Sequence, residues 1–212
     1  GEWKNGNLET GMITAPGGII YFGDWKNQKF NGEGFYLSDA GGVSFGKWID
    51  GNLTFNVFDK QSGKLCSDNS INDCYTKIGN ENEFLMGYFR NRKLQGFGYV
   101  KTQDLQLFGW FQDNRVIGNA AIVFPDGMRY YGQVKDVLPH GWGVTYREKP
   151  YLVTYIGPTD ETGLTGNGVM FADDVKRSQL EHLSSYYGKL RSGSADGAGL
   201  KIGSTGSWYY GR

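Results

Sequence analysis

The sequence predicts an all-β fold of stacked β-hairpin repeats. Its glycines are regularly spaced, its candidate strands show period-two alternation, and its candidate turns contain glycine. One set of glycines, most of which stand two positions after an aromatic or aliphatic residue, recurs every 22 to 25 residues, with one gap of 41 and one of 31. These anchor glycines are Gly1, Gly23, Gly46, Gly87, Gly109, Gly132, Gly157, Gly188 and Gly211. Such self-similarity is typical of arrays whose units bury their apolar faces on each other, so we expect about eight units and two insertions. The units should form one elongated array over residues 1–212.

Two further glycines keep register with the anchors. Nine residues after six of the anchors stand Gly32, Gly96, Gly118, Gly141, Gly166 and Gly197. Two residues later, at five of those six places, stand Gly34, Gly98, Gly143, Gly168 and Gly199. Glycine inside a strand normally weakens it, so this recurrence predicts close backbone approach. We expect aromatic rings from the neighbouring hairpin to pack over the missing side chains.

The unit that begins at Tyr130 illustrates the predicted hairpin. Residues 130–134 are predicted to form its first strand, 135–140 a loop, and 141–146 its second strand. The strands are enriched in β-branched and aromatic residues with period-two alternation. Pairs such as Asp126-Gly127 accept the positive φ that tight hairpins require. Helices have almost no room in such a unit.

A large apolar residue stands two positions after the anchor in the first five complete units, and smaller residues follow in the later units. The residues at this position are Trp3, Trp25, Trp48, Phe89, Phe111, Val134, Thr159 and Leu190. They could form a ligand-facing aromatic ladder, but one large apolar residue per repeat is far more typical of a core. We therefore predict that this stripe is buried.

The pattern Tyr-x-Gly-x-Trp followed by Gly-x-Gly resembles the MORN repeat (membrane occupation and recognition nexus). Residues 21–25 with 31–34, and 130–132 with 140–143, match it most closely. The repeat tyrosines are Tyr21, Tyr130, Tyr155 and Tyr186. The resemblance covers essentially the whole chain and implies an elongated, twisted antiparallel sheet. It also implies a scaffold or targeting role at a membrane or cytoskeletal junction, sometimes beside an enzyme domain, and it names no reaction.

Some units depart from this pattern. The unit that starts at Gly46 has Phe55 and Val57 where the glycine pair is expected, and Gly11 is out of step in the first unit. Only His140 supplies the histidine that the family often places before the second glycine. Activities of particular family members therefore carry over weakly.

Composition excludes some classes of partner. Twenty-two basic and 22 acidic residues give a formal net charge of zero, so no long-range field gathers nucleic acid. No segment approaches the roughly 20 consecutive apolar residues of a membrane-spanning helix. We therefore expect a soluble protein that does not bind nucleic acid.

The first insertion, about residues 59–83, is polar and is expected to form a surface loop. Cys66 and Cys74 lie within it, and a disulfide between them or two separate thiols would both fit. The acids and amides at residues 68–73 lack the alternate-ligand spacing and terminal Glu of a calcium loop. We therefore expect no metal there.

The second insertion, about residues 172–185, mixes apolar and charged residues and predicts one or two amphipathic helical turns. His182 in this insertion and His140 at a repeat turn have no convincing catalytic partner in the sequence. We therefore predict no catalytic residue, no cofactor and no enzyme activity.

Two surface features are candidate contacts. Arg90, Arg92 and Lys93 form a basic cluster that could touch anionic lipid, although strong recruitment needs about four to eight clustered charges. Trp3, Tyr209 and Tyr210 belong to incomplete repeats at the two ends of the sequence. An uncovered terminal hairpin invites another strand, so these ends are candidate sites for end-to-end assembly.

The sequence thus favours a non-enzymatic scaffold that binds other proteins or itself, and contact with an anionic membrane surface is a second expectation. A module for glycans or lipid headgroups is the rival interpretation, because such modules also repeat Gly, Trp and Tyr at a similar spacing. A targeting arm of a larger enzyme is the third. A cytoplasmic, cytoskeleton-associated or membrane-associated location fits the resemblance, whereas a Cys66 to Cys74 disulfide would fit an extracellular one.

Overall fold

The computed structural model describes residues 2–15, 19–38, 43–56, 66, 71–147, 152–173, 184–203 and 206–211. Within these residues every regular element is a β-strand, and strands that follow one another along the chain pair antiparallel in open sheets. The predicted all-β fold of stacked hairpins is confirmed. The chain divides into two compact units, unit 1 over Gly1–Ile117 and unit 2 over Gly118–Arg212.

Unit 1 contains a six-stranded sheet and four strands of a second sheet, each in chain order. The six strands are β1 (Glu2–Lys4), β2 (Asn7–Ala15), β3 (Ile19–Lys26), β4 (Lys29–Leu37), β5 (Val43–Ile49) and β6 (Asn52–Asn56). The four are β7 (Cys74–Gly79), β8 (Phe84–Arg90), β9 (Lys93–Lys101) and β10 (Gln106–Gln112).

Unit 2 is a sheet whose strands also follow chain order, except that the two-residue β15 pairs with the end of β14. Its strands are β11 (Arg115–Val123), β12 (Arg129–Lys135), β13 (Leu138–Arg147), β14 (Leu152–Asp160), β15 (Gly163–Leu164), β16 (Gly166–Asp173), β17 (Ser184–Arg191), β18 (Ser194–Ile202) and β19 (Trp208–Gly211). The first residues of β11 precede the division between the units.

The regularly spaced glycines lie opposite one another and form a row across each sheet. The paired positions are Gly11, Gly23, Gly34 and Gly46 in the six-stranded sheet, Gly87, Gly98 and Gly109 in β8–β10, and Gly132, Gly143 and Gly157, then Gly168, Gly188, Gly199 and Gly211, in unit 2. Gly11 therefore belongs to the row, and the prediction that it is out of step is wrong. Gly46 pairs with Asn56, so the row ends there as the altered sequence of that unit predicts.

In four hairpins the glycine pair lies beneath a tyrosine ring, whereas Gly87 and Gly98 lie against Leu94, and Gly98 also against Phe111. A Cβ added to Gly34 would lie 2.7 Å from Cζ of Tyr21, and one added to Gly143 would lie 2.5 Å from Cζ of Tyr130. Tyr155 and Tyr186 cover their own glycine pairs in the same way. In these four hairpins the ring belongs to the strand of the anchor glycine, two residues earlier, so the expectation of a ring from the neighbouring hairpin is wrong there. Residues two positions apart in a strand share one face, which brings the tyrosine ring over the glycine row. At Gly98 the expectation is confirmed, because Phe111 of the next strand lies 2.9 Å from an added Cβ.

The two glycines of each Gly-x-Gly step have different structural roles. The first glycine, at Gly32, Gly96, Gly141, Gly166 and Gly197, has φ between 65° and 100°, and so has Gly118, whose unit has Ala120 in the second place. This left-handed conformation is open to glycine and costly for most other residues. The second glycine provides space that a tyrosine ring fills at Gly34, Gly143, Gly168 and Gly199, and that Leu94 and Phe111 fill at Gly98. The register shifts beside Gly23, Gly132 and Gly188 lie in the same hairpins, which indicates β-bulges.

Most hairpins turn through two residues that both have positive φ, as in type I′ turns. The pairs are Asn5-Gly6, Asn27-Gln28, Asp50-Gly51, Asn91-Arg92, Asp113-Asn114, Asp136-Val137 and Ser192-Gly193. Asn and Asp tolerate this conformation, which explains their frequency at the first position. The predicted loop over 135–140 is therefore too long, because β12 continues to Lys135 and β13 begins at Leu138.

The core of unit 1 lies between its two sets of strands. Phe35 of the six-stranded sheet stacks on Phe108 with ring centroids 3.7 Å apart and contacts Tyr99 at 5.5 Å. Phe22 and Phe45 lie 5.4 and 5.5 Å from Phe97. All of these side chains are buried. The interdigitated aromatic rings form the face-to-face contact of two packed sheets.

The first insertion is only partly a loop. Cys66 and Cys74 form a disulfide bond, with an S–S distance of 2.05 Å. Cys74 begins strand β7, which occupies residues expected to be a surface loop and pairs with β8 from Cys74 to Gly79. The pairing with β8 and the burial of Cys74 account for this strand. The helical turns expected near 172–185 fall mainly on residues 174–183, which lie outside the described residues.

Candidate functional site

The predicted stripe two positions after the anchor is mostly core. Trp48, Phe89, Phe111 and Leu190 are buried, whereas Trp3 is 67% exposed. The interpretation of this stripe as a ligand-facing ladder is therefore not supported by its burial.

In unit 1 the stripe joins an aromatic cluster around Tyr21. The Tyr21 ring stacks on Phe30 with centroids 3.7 Å apart and makes edge contacts with Trp25 at 5.3 Å and Trp48 at 5.7 Å. The indole N–H of Trp48 donates to the carbonyl of Gly34 at 3.4 Å. These rings fill the face of β3–β5 that carries Tyr21. We call this face, and the face of unit 2 that carries Tyr130, Tyr155 and Tyr186, the tyrosine face.

The corresponding positions in unit 2 carry smaller side chains. Trp25 pairs with Phe30 in β3–β4, and the matching pair around Tyr130 is Val134 with Pro139. Trp48 pairs with Gly32, and the residue that pairs in the same way with Gly141 is Thr159. Three rings of unit 1 are thus replaced in unit 2 by valine, proline and threonine.

The smaller side chains leave a groove on the tyrosine face of unit 2. One part has a volume of about 270 Å³, and its lining comprises Phe124, Met128, Tyr130, Leu138, Pro139, Thr145, Thr159, Asp160, Glu161, Gly163 and Leu164. A second part of about 340 Å³ shares Met128, Thr145, Gly163 and Leu164 and reaches Arg147 and Gly193. We call these two parts the unit 2 groove. Its lining is mainly apolar, as in most binding clefts for organic groups.

The polar groups of the groove floor are hydrogen-bonded. The hydroxyl of Tyr130 donates to the carbonyl of Gln133 at 2.7 Å, and the hydroxyl of Thr159 donates to the carbonyl of Gly141 at 3.2 Å. Burial raises the pKa of Tyr130. The phenol therefore remains neutral over the physiological range and makes the floor uncharged.

One rim of the groove is acidic. The Asp160 carboxylate accepts hydrogen bonds from the backbone N–H and the hydroxyl of Thr162, at 2.8 and 2.6 Å. These bonds lower the pKa of Asp160, so it stays ionised. Glu161 is the exposed neighbour on the same turn. At the other end of the groove, Arg147 and Asp126 form an ion pair at 2.6 Å.

The opposite face of unit 2 carries a row of apolar side chains. Tyr131, Val144, Ile156, Val169, Tyr187 and Leu200 are successive cross-strand partners over β12–β18. We call them the unit 2 apolar row. Ile156 is 42% exposed and Tyr187 39% exposed. In unit 1 the same repeat position holds Phe22, Phe35 and Phe45, which lie beneath the second set of strands and are at most 1% exposed.

A polar cluster in unit 1 was not evident from the sequence. One oxygen of the Glu33 carboxylate accepts from the hydroxyl of Tyr75 at 3.0 Å, and the other accepts from the backbone N–H of Phe97 at 3.2 Å. Asp24 accepts from the N–H of Glu33 at 3.0 Å. Burial, and secondarily the Glu33 charge, raises the pKa of Asp24 to about 6, although the N–H bond opposes the shift. The long sequence separations of Glu33 from Tyr75 and Phe97 explain why no local pattern indicates the cluster.

The predicted basic cluster is partly neutralised. Arg90 forms an ion pair with Asp73 at 2.9 Å, and Lys93 forms one with Asp113 at 3.8 Å. Arg92 lies between them in the hairpin turn with φ 60°. The cluster therefore presents less net charge to an anionic surface than its sequence indicates, and its contact with lipid stays a prediction.

The predicted end-to-end residues are exposed. Trp3 is on β1, at the edge of the six-stranded sheet, and Tyr209 and Tyr210 are on β19, with 66% and 69% exposure. Assembly through them stays a prediction. His140, predicted at a repeat turn, lies instead in strand β13, because the hairpin turn is shorter than expected; it is exposed, and its interaction with Asp160 contributes to the lowered pKa of that carboxyl group. His182, predicted in the second insertion, lies outside the described residues.

Comparison with known proteins gives neither a matching protein-family model nor a matching curated protein. Within the described residues, no helix has the length and apolar character needed to cross a membrane. The same part of the chain contains no group of three His, Cys, Asp or Glu side chains arranged to hold a metal ion.

Proposed function

We propose that the protein is a non-enzymatic scaffold module whose unit 2 groove docks a short segment of a protein partner. The observation that carries the proposal is the replacement of Trp25, Phe30 and Trp48 by smaller residues around Tyr130, which leaves an apolar groove where unit 1 is filled. The resemblance of the repeat to MORN repeats supports a scaffold role.

The shape and charge of the groove indicate the chemistry of its occupant. Rings occupy the equivalent volume in unit 1, so an aromatic side chain matches the space around Tyr130, Pro139 and Thr159. Burying such a side chain contributes about 1.5–3 kcal/mol. The acidic rim at Asp160 and Glu161 favours a lysine or arginine beside the aromatic anchor. The partner segment is therefore an aromatic residue flanked by basic residues.

A peptide titration tests this proposal. The probes are the blocked tripeptides Lys-Trp-Lys, Lys-Ala-Lys and Glu-Trp-Glu, added to ¹⁵N-labelled protein. We expect Lys-Trp-Lys to shift the amide signals of Thr159, Gly163 and Leu164, and to bind about tenfold more tightly than either of the others. Equal effects from Lys-Trp-Lys and Lys-Ala-Lys would show adsorption by charge alone and would overturn the proposal.

Groove variants give a second test. Thr159→Trp places at this position the residue type of Trp48 and should fill the groove and abolish the tripeptide shifts. Glu161→Gln should weaken binding several-fold, because one rim charge is lost. Lys189→Ala, on the opposite face, is the matched control and should bind as the wild type does. Undiminished binding by a folded Thr159→Trp protein would contradict the proposal.

A further inference from the structure

Five members of the unit 2 apolar row, Val144, Ile156, Val169, Tyr187 and Leu200, are exposed or half-buried on the face opposite the groove, whereas Tyr131 at its end is buried. The repeat position that they occupy is a core position in unit 1. We infer that this row is an interface through which two copies of the chain pack sheet against sheet. The inference does not depend on the proposed docking in the groove, because the two surfaces lie on different faces of the same strands.

The structure of unit 1 indicates what covers such a row. There, Phe35 packs against Tyr99 and Phe108, with ring centroids 5.5 and 3.7 Å apart. Phe35 immediately follows Gly34 of its glycine row, while Tyr99 follows Gly98 and Phe108 precedes Gly109 in theirs. Both partners are therefore sheets of the same repeat, and they meet through the same repeat position. This is the internal precedent for packing one such face on another.

The unit 2 apolar row forms a continuous apolar surface, as a contact between two sheets requires. Its six members are direct cross-strand neighbours, so they form one continuous strip, and Phe171 extends the strip beside Tyr187 with centroids 6.3 Å apart. Exposed apolar strips of this kind mark interaction sites. A two-fold contact requires one patch to meet a copy of itself, which a strip of Tyr, Val, Ile and Leu does without unpaired charge.

Two basic side chains of the described residues lie beside the row. Arg129 lies over the ring of Tyr146, 5.9 Å from its centroid, and Lys189 stands beside Asn167 two positions from the row. Neither lies on the strip itself. A partner with an acidic face would bind a densely basic surface, which this face does not present. A partner that presents the same apolar strip needs no such charges. The second copy is therefore the occupant that fits.

The test is the mass of the full chain in solution over a concentration series, measured by sedimentation equilibrium. We expect a monomer–dimer equilibrium in the wild type. Ile156→Glu and Tyr187→Glu place a charge on the strip at partly exposed sites and should each raise the dissociation constant at least tenfold. Lys201→Glu, on the tyrosine face, is the matched control and should leave it unchanged. A concentration-independent monomer, or a dimer insensitive to both strip variants, would overturn the inference.

Crosslinking tests the geometry without depending on charge substitutions. The two native cysteines are paired with each other, so a single introduced cysteine reports one site. Ile156→Cys should form a disulfide-linked dimer under mild oxidation, and Lys201→Cys should not. Dimers that crosslink equally at both positions would contradict the inferred interface. Groove binding by the same proteins separates the two proposals, because Ile156→Glu should still bind Lys-Trp-Lys.

Discussion

The ring of Tyr130 lies across Gly143, which is the cross-strand partner of Gly132 in the glycine row. The ring and Gly143 are so close that a Cβ added to Gly143 would lie 2.5 Å from Cζ of the ring. The Tyr130 hydroxyl reaches past this glycine and donates to the carbonyl of Gln133 at 2.7 Å. The same bond to the carbonyl three residues ahead recurs at Tyr21, Tyr155 and Tyr186. Ring, glycine and carbonyl form the repeated structural contact of this fold.

Substituting Gly143 should therefore destabilise the protein by overpacking. Gly143→Ala should lower the free energy of unfolding by about 1–3 kcal/mol, because the Tyr130 ring has to shift. The measurement is urea denaturation followed by far-UV circular dichroism. An unchanged midpoint would show that the ring moves at no cost.

Gly118 provides the matched control, since its requirement is conformational. Its φ is 70° and nothing lies within 4 Å of an added Cβ. Gly118→Ala should cost about 1 kcal/mol and Gly118→Asn less, because Asn tolerates the left-handed region. At Gly143, by contrast, Asn should be worse than Ala. The same order of variants at both sites would refute the two separate roles.

Val137 occupies a strained turn position. It is β-branched and has φ 64° at the second place of the Asp136-Val137 turn. Val137→Gly should raise the free energy of unfolding by about 1 kcal/mol, because glycine adopts this conformation freely. The reverse change at the equivalent turn, Gly51→Val, should destabilise by a similar amount. Thermal denaturation of both variants measures the effect, and a lower melting temperature for Val137→Gly would contradict the prediction.

Asp24 should make stability depend on pH. Its pKa in the folded protein is about 6, above the ordinary value of 3.8, so the folded state holds a proton that the unfolded state releases. This contribution is fully present below about pH 4 and is lost as the pH rises through 6. Because the group is partly exposed, we expect a loss of about 1–2 kcal/mol.

The measurement is chemical denaturation of wild type and Asp24→Asn at intervals between pH 4 and 8. The variant lacks the titrating group, so its unfolding free energy should fall less over this range. Other acids titrate in both proteins and cancel in the comparison. Parallel curves for the two proteins would show that Asp24 is not perturbed.

The Cys66–Cys74 disulfide should stabilise the start of β7. Its sequence separation of 8 residues closes a short loop, for which loss of unfolded-state entropy predicts about 2.5 kcal/mol. The double substitution Cys66→Ser with Cys74→Ser should therefore unfold at lower urea concentration than the oxidised wild type. Adding a reducing agent should lower the urea midpoint of the wild type and leave that of the variant unchanged. Equal midpoints for oxidised and reduced wild type would contradict the prediction.

The amino-acid sequence by itself determined the elements of the repeat. Glycine at Gly32 and Gly34, and Asp or Asn at turns such as Asp50-Gly51, express backbone preferences that act within a few residues and therefore show as a regular spacing. The same locality explains the failures. Strand β7 is specified by its pairing with β8 and by the buried Cys74, and the membership of Gly11 in the row is set by its partner Gly23.

Only the tertiary structure decided which surfaces remain open. The sequence places an apolar residue before Gly23 and before Gly157, but Phe22 is covered by other strands and Ile156 is exposed. Likewise, the groove exists because Pro139 and Thr159 leave unfilled the volume that Phe30 and Trp48 occupy in unit 1. Burial depends on the volumes of side chains that come together from distant parts of the chain. The local spacing of residues in the sequence does not indicate how well those side chains fill the space between them.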